Sequence, residues 1–150
     1  MVDLKRQAEL HEAIEFLHFA YRGFTDRPDR ILERRGLGRT HHRILYFIGR
    51  RPDISVQGLL NLLAVSKQAL NAPLRQLMEM NLVAAIAGVQ DRRVKNLRLT
   101  TEGLRLEAEL TGAQMRFLQG AFEAAGEDSE AGWRRIMTEM AAKERQAMGE

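Results

Sequence analysis

Polar side chains recur at helical spacing near the middle of the chain. Gln68, Asn71 and Arg75 stand at i, i+3 and i+7, so a helix places them on one face, just after Ser66 and Lys67. Asn and Gln amides can make paired hydrogen bonds to adenine, Arg can do the same with guanine, and Lys or a Ser hydroxyl can reach phosphate. Such a face suits a nucleic acid, although the solvent-facing side of an ordinary amphipathic helix has the same composition.

A second set of charged side chains lies further along, at Asp91, Arg92, Arg93 and Lys95. It follows a glycine at position 88 and lies between two short apolar segments. This is the pattern of a β-hairpin with a basic tip. The sequence thus predicts a basic hairpin that follows the polar helix.

The positive charge of the chain is concentrated in the same region. Residues 39–99 hold 10 basic and 3 acidic side chains, whereas residues 1–38 hold 7 of each and residues 100–150 hold 6 basic and 10 acidic. The net charge of +3 for the whole chain therefore conceals a strongly basic middle. This asymmetry points to a polyanionic partner for that segment, with an ordinary solvated surface as the alternative.

Other chemistries lack the residues that they need. The chain has no cysteine, which excludes disulfides, thiolate metal sites and cysteine redox sensing. It has no glycine-rich phosphate loop, nucleophile elbow or paired-carboxylate motif, so we do not expect an enzyme. The histidines lack the spacing of metal ligands and are better explained as packing or surface side chains. We therefore expect neither a metal nor a cofactor.

Length and hydropathy place the chain among small soluble proteins. Its 150 residues suit one domain with helical extensions. It has no run of about 18 apolar residues, so the sequence predicts no membrane span. Residues 1–10 carry charges throughout and lack the apolar core of a signal peptide. We therefore expect a cytoplasmic protein with no membrane partner.

Apolar periodicity predicts the helices that position the polar face. It predicts one helix over residues 4–24, ended by Pro28, and a second over residues 40–50. Ser55 and Ser66 each precede an apolar helical pattern, as N-cap residues do. Two short helices joined by a tight turn form a helix-turn-helix, and the polar face belongs to the second of them.

The remainder of the chain predicts two strands and two further helices. Strands over residues 83–87 and 96–100 form the hairpin, and a long helix begins at Thr101. After a break at residues 126–129 the chain ends in a last helix. The long helix is apolar over so wide an arc that a small domain alone does not cover it. We therefore expect a partner surface on this helix.

The run from Arg43 to Gly103 resembles the winged helix of the MarR family of transcription regulators. Residues 55–60 resemble the start of the helix before the turn, and residues 65–68 the start of the recognition helix. The end of that helix is matched by Leu77 and residues 81–83. The strongest match is residues 91–103, DRRVKNLRLTTEG, which fit the family's Asp-x-Arg, basic strand and Leu-Thr-x-x-Gly pattern.

The resemblance implies a mainly α fold. A winged helix-turn-helix lobe over residues 37–100 would be flanked by dimerisation helices in residues 1–34 and 101–150. A homodimer would bind a pseudo-palindromic site in double-stranded DNA, with each recognition helix in the major groove. Arg93 at the wing tip would enter the minor groove, oriented by a salt bridge from Asp91. The implied DNA contacts are Ser66, Lys67, Gln68, Asn71 and Arg75 on the helix, and Asp91, Arg92, Arg93 and Lys95 on the wing.

The family also commonly has a small-molecule pocket between the DNA-binding lobe and the dimerisation region. Phe16, Phe19, His42 and Tyr46 are the candidates to line it, although core packing is the favoured explanation for any one of them. The effector would be a small aromatic or anionic compound of unknown identity. Its binding would release a repressor from DNA.

Three features depart from the family pattern. Pro73 removes a backbone hydrogen bond inside the recognition helix and predicts a kink or a shorter helix. Asn81 stands in place of the usual glycine, which it can replace because asparagine tolerates the left-handed C-cap conformation. The first wing strand, residues 84–87, carries no charge. Pro73 and this strand keep one alternative open, a winged helix that binds a protein or a small molecule without specific DNA binding.

Overall fold

The computed structural model describes residues 3–88 and 90–147. Its elements in chain order are α1 (Leu4–Glu33), α2 (Arg39–Arg50), β1 (Ile54–Ser55), α3 (Val56–Leu63), α4 (Lys67–Glu79), β2 (Val83–Ala87), β3 (Lys95–Leu99), α5 (Thr101–Ala125) and α6 (Glu127–Ala147). This order is that of a winged helix-turn-helix flanked by terminal helices, as predicted. Val89 of the predicted hairpin, and residues 1–2 and 148–150 of the predicted dimerisation region, lie outside the described residues.

Contacts divide the chain into two compact units, Met1–Gln114 and Met115–Glu150. The first unit contains α1 to α4, the sheet and the first part of α5. The second contains the end of α5 and all of α6. Within the described ranges, no helix is both long and apolar enough to cross a membrane.

Helix α1 is longer than predicted. The prediction ended it before Pro28, but it continues through Pro28 to Glu33. Its last turns bury Thr25, Pro28 and Leu32, and Leu32 belongs to the hydrophobic core. This burial outweighs the loss of one backbone N–H from the helix. Residues 4–23, by contrast, are exposed within the single chain.

The helix-turn-helix forms around the two predicted serine caps. The Ser55 hydroxyl accepts a hydrogen bond from the Gly58 N–H at 3.0 Å, and the Ser66 hydroxyl accepts one from the Ala69 N–H at 3.1 Å. Ala64 ends α3 with φ of 56°, a left-handed conformation. Asn81 follows α4 with φ of 59°, which confirms the left-handed conformation predicted for it.

Three strands form the sheet, in the order β1-β3-β2, where the sequence predicted two. β2 and β3 are antiparallel, with Ala85 opposite Leu97, and β1 pairs with the other edge of β3 through Ile54 and Leu97. A strand as short as β1 is too brief for an alternating pattern to show in the sequence. β3 begins and ends one residue earlier than the predicted strand over residues 96–100.

The core of the first unit takes one apolar face from each helix. Leu70, Leu74 and Leu77 confirm the inward face predicted for α4. The largest fully buried side chains are Leu32, Ile44, Leu45, Ile48, Leu59, Leu70, Leu77, Leu82, Leu97, Leu106 and Leu110. Because the leucines anchor one side of α4 in this core, its polar side faces solvent.

Thr100 connects the wing to α5. Its hydroxyl accepts a hydrogen bond from the Gly103 N–H at 3.0 Å and donates one to the Asn81 carbonyl at 2.7 Å. One side chain therefore caps α5 and ties its start to the turn after α4. The wing is thus held at the base by the helix that follows it.

The second unit is a pair of consecutive helices. α5 ends at Ala125 and α6 begins at Glu127, with Gly126 between them at φ of 98°. The predicted break over residues 126–129 was therefore too long. Phe122 packs edge-on against Trp133, with ring centroids 5.2 Å apart. None of the described residues of α6 is buried within the single chain.

Candidate nucleic-acid interface

The outer face of α4 presents all five side chains that the sequence singled out on this helix. Ser66, Lys67, Gln68, Asn71 and Arg75 are exposed, opposite the buried leucines. The Ser66 hydroxyl is occupied as the N-cap, so it offers its remaining hydrogen-bonding capacity to a ligand. The positive end of the helix macrodipole and Lys67 lie at the same end of α4, which favours an anion there.

Pro73 does not shorten α4. The helix continues past it to Glu79, and Pro73 itself is half-buried. Core packing of Leu70, Leu74 and Leu77 holds the helix on both sides of the proline. Arg75, which follows Pro73, therefore lies on the same continuous helix as Gln68 and Asn71.

The wing tip carries the predicted salt bridge. The Arg93 guanidinium donates through Nε to Asp91 Oδ1 and through Nη2 to Asp91 Oδ2, both at 3.2 Å, and the Arg93 backbone N–H donates to Oδ1 at 3.0 Å. The guanidinium, and then the backbone N–H, lower the pKa of the Asp91 carboxyl below its usual value. The Arg93 side chain is 90% exposed, so the pair aims a cation into solvent.

A second ion pair, which the sequence analysis missed, supports the base of the wing. Arg98 of β3 donates to both carboxylate oxygens of Asp53, Nη2 to Oδ2 at 3.1 Å. Asp53 lies in the turn before β1 with φ of 68°. Arg98 lowers the pKa of the Asp53 carboxyl, and Asp53 raises the pKa of Arg98. Only the β1–β3 pairing brings these residues together, and nothing near either residue in the sequence indicates it.

The other basic side chains of the wing are exposed. Arg92 and Lys95 face solvent on the second half of the hairpin. The first strand, β2, contributes apolar and small side chains alone, as the sequence indicated. The positive charge of the wing therefore lies at its tip and along β3.

The four side chains predicted to line an effector pocket lie in different environments. Phe16 and Phe19 of α1 are 64% and 59% exposed, so they do not line an enclosed cavity within one chain. His42 is buried, its Nε2 lies 3.3 Å from the Thr111 hydroxyl, and burial lowers the pKa of its imidazole. Tyr46 is half-buried and lies under the Arg50 guanidinium. Within the described residues, no cluster of three or more His, Asp or Glu side chains is arranged to hold a metal ion.

Large apolar side chains are exposed along the terminal helices. The wide apolar arc predicted for α5 divides in two: Leu106 and Leu110 belong to the core, whereas Leu104 and Met115 are 55% and 59% exposed. Other exposed side chains are Leu10, Ile14, Leu17 and Tyr21 of α1, and Ile136 and Met140 of α6. Exposed apolar surfaces of this kind are typical of protein–protein interfaces.

Known proteins share both the sequence and the arrangement of this lobe. A family model described as MarR family matches residues 35–94. The HTH-type transcriptional regulator PetP of Rhodobacter capsulatus is 44% identical over 132 residues, which cover 88% of this chain and 80% of that protein. The chain belongs to the MarR family. It is therefore a DNA-binding transcriptional regulator and not an enzyme.

Solved structures of MarR proteins share the whole fold. Streptococcus pneumoniae FabT in complex with DNA is 18% identical, with a TM-score of 0.75, and the match covers 96% of this chain and 99% of that one. Staphylococcus aureus MarR in complex with salicylate and kanamycin is 21% identical, with a TM-score of 0.74, and the match covers 95% and 96% of the two chains. The likeness extends beyond the winged helix to the terminal helices.

Proposed function

We propose that this MarR protein is a ligand-responsive repressor that binds a pseudo-palindromic operator as a homodimer. The observation that carries the proposal is the pairing, on one small lobe, of an exposed polar recognition face on α4 with an exposed Arg93 held by Asp91. A helix for the major groove and a cation for the adjacent minor groove are the two contacts that a winged helix makes with duplex DNA.

In this proposal each side chain has its own task. Gln68, Asn71 and Arg75 contact base edges, while Ser66 and Lys67 contact phosphates at the start of α4. Arg93 enters the minor groove, where the negative potential is strongest if the groove is narrow, and Asp91 limits its rotation. Arg92 and Lys95 contact phosphates beside the wing. The lobe over residues 37–100 thereby forms one DNA-binding module.

The homodimer is supported by the exposed apolar side chains of α1, α5 and α6. Residues 1–34 and 101–150 would form the dimerisation region, with Ile14 and Leu17 covered by the partner. A two-fold axis would present two recognition helices about 34 Å apart, one turn of the duplex, which explains why the operator would be pseudo-palindromic. The DNA in the FabT structure supports this mode of action for the fold.

The effector in this proposal is a small aromatic or anionic compound. Salicylate, which is both, is present in the structure of Staphylococcus aureus MarR. Phe16, Phe19, His42 and Tyr46 remain the proposed pocket, with the partner chain enclosing the two phenylalanines that are exposed here. The protein would act in the cytoplasm, where its operator is accessible.

The proposal is tested with a labelled fragment of the DNA upstream of the protein's own gene, with excess competitor DNA and a range of salt concentrations. Binding that survives the competitor, with one dimer for each site, supports the proposal. The logarithm of affinity should fall linearly and steeply with that of salt concentration, because phosphate contacts release counterions. A flat salt dependence contradicts the proposed contacts. Binding abolished by competitor favours either an operator at another locus or the alternative, a winged helix that binds a protein or a small molecule without specific DNA binding.

A further inference from the structure

Three hydrogen bonds connect α2 and α4 to the loop that precedes α2. His41 Nδ1 accepts from the Gly38 N–H at 2.9 Å, and His41 Nε2 lies 2.9 Å from Gln76 Oε1. The Gln76 side-chain amide donates to the Gly36 carbonyl at 3.4 Å. We refer to these three contacts as the His41–Gln76 link.

Backbone groups determine the direction of every bond in the link. The Gly38 N–H can only donate, so Nδ1 of His41 carries no proton and Nε2 carries one. The Gly36 carbonyl can only accept, so the Gln76 amide directs its NH2 group there and its oxygen toward His41. A single neutral tautomer of His41 and a single orientation of Gln76 therefore satisfy all three contacts.

The link meets α4 where the orientation of the helix matters. Gln76 follows directly after Arg75, and α2 and α4 both contribute side chains to the shared hydrophobic core. Burial of the leucines decides which side of α4 faces solvent, but the hydrophobic effect itself requires no particular angle between groups. Hydrogen bonds require particular distances and angles, so the link constrains the rotation of α4 about its axis.

We propose that His41 and Gln76 are positioning residues that set the rotation of α4 for base contacts. This inference rests on the proposed role of α4 in the major groove. The loop at the other end of the link begins where α1 ends, and Leu37 anchors it in the core. The link therefore also connects the recognition helix to the loop that follows the proposed dimerisation helix.

Two variants break the link without removing a helix cap or a core side chain. Gln76→Met removes both amide contacts and keeps the length and helix propensity of the side chain. His41→Asn keeps an oxygen near the position of Nδ1 for the Gly38 N–H but is too short to reach Gln76. Gln57→Met, at an exposed position of α3 outside the proposed DNA contacts and the dimerisation region, is the matched control.

The probe is a fluorescent duplex that the wild-type protein selects from a randomised pool, and a random duplex of equal length reports nonspecific binding. Each link variant should bind the selected duplex about fivefold more weakly, as expected for the loss of one net hydrogen bond. Nonspecific binding should stay within about twofold, because phosphate contacts tolerate rotation. The Gln57→Met control should also bind the selected duplex within about twofold of the wild type, because it leaves the link intact. The double variant should be no weaker than the weaker single variant, because both changes remove the same link.

The outcomes separate the link from the proposed function. Equal affinity of the wild type and Gln76→Met for the selected duplex overturns the link. The link is also overturned if the double variant loses as much binding free energy as the two single variants together. Selection of no duplex by the wild-type protein overturns the proposed function instead. In that case 15N NMR of His41 still tests the link, which requires the Nε2–H tautomer in the wild type and a shifted Nε2–H resonance in Gln76→Met, where the acceptor of that proton is gone. Any other tautomer in the wild type overturns the link.

Discussion

Gly103 lies in direct contact with the backbone of Leu82. A Cβ atom built on Gly103 would lie 2.0 Å from the Leu82 carbonyl oxygen. That oxygen also accepts a hydrogen bond from the Thr100 N–H at 3.1 Å, so it does not move away without losing the bond. The glycine of the Leu-Thr-x-x-Gly pattern therefore has a packing reason: it lets the first turn of α5 reach the start of the wing.

We expect Gly103→Ala to lower the free energy of unfolding by about 3 kcal/mol, because the added methyl group forces backbone to move. Gly120→Ala in the same helix is the control, since nothing lies within 4 Å of its added Cβ. That change should be neutral or stabilise by up to about 1 kcal/mol. Urea unfolding followed by circular dichroism measures both. Equal stability of the two variants would refute the contact.

The wing ion pair leads to a prediction about DNA binding. Arg93→Ala should weaken operator binding about tenfold and reduce the steepness of the salt dependence, because a minor-groove cation is lost from each subunit. Asp91→Ala should cause a smaller loss, since it keeps the cation but not its orientation. Arg145→Ala, which removes the same charge from α6, is the control. Fluorescence anisotropy across salt concentrations measures the affinity of each variant for the operator. If Arg93→Ala bound the operator as tightly as the Arg145→Ala control, the proposed minor-groove contact would be wrong.

Ala64 offers a stabilising substitution. Its φ of 56° is unfavourable for a residue with a Cβ and ordinary for glycine. We expect Ala64→Gly to raise the free energy of unfolding by about 0.5 kcal/mol, after the greater flexibility of glycine in the unfolded chain is subtracted. Ala72→Gly on the exposed face of α4 should do the opposite, because φ there is helical. A lower free energy of unfolding in both variants than in the wild type would show that Ala64 is not strained.

The proposed dimer interface can be tested without harming the single-chain fold. Ile14 is 65% exposed, so Ile14→Glu leaves the core intact. In the dimer it would bury a carboxylate among apolar side chains, which should weaken dimerisation about a hundredfold or more. Light scattering after size exclusion across protein concentrations measures this, with Glu15→Gln on the same helix as the control. A stable Ile14→Glu dimer would place the interface elsewhere.

His42 makes stability depend on pH. Burial lowers the pKa of its imidazole in the folded chain, whereas in the unfolded chain a histidine takes up its proton near about pH 6.5. The unfolded state therefore binds more protons at lower pH, so this contribution is fully present above about pH 6.5 and is lost as the pH falls below it. We expect the Tm of the wild-type protein to fall as the pH is lowered below about 6.5. The Tm of the His42→Gln variant should fall less steeply over the same pH range. If the Tm of the two proteins depended identically on pH, the pH dependence would not come from His42.

Local features of the fold were predictable from the sequence. The Ser55 and Ser66 caps and the left-handed Asn81 depend on residues close by in the chain, and the structure has all three. The end of α1 was predicted wrongly because Pro28 is a local helix breaker, while its burial with Leu32 is a tertiary effect. Strand β1 was missed for a related reason, since its only partner lies far along the chain in β3.

In the candidate site too, local features were predictable from the sequence and contacts between distant residues were not. The exposed face of α4 follows from helical spacing, and the Asp91–Arg93 pair follows from neighbours two residues apart. Asp53 with Arg98 and His41 with Gln76 join residues that are distant in sequence, so periodicity does not indicate them. Phe16 and Phe19 lie on an open surface within one chain, and the pocket proposed for them depends on a partner chain, which an apolar pattern does not describe.

Pro73 lies between the first proposed DNA contacts of the recognition helix and Gln76, the residue that we propose attaches the helix. Because proline has no N–H, the Ala69 carbonyl has no amide partner one turn along the helix. Lys67, Gln68 and Asn71 precede Pro73, whereas Arg75 and Gln76 follow it. We expect sequence changes at the first three positions to leave the attachment of the helix at Gln76 unaltered. Operator preference can diverge between related proteins, or be reprogrammed in a randomised library, by varying those positions on a constant scaffold.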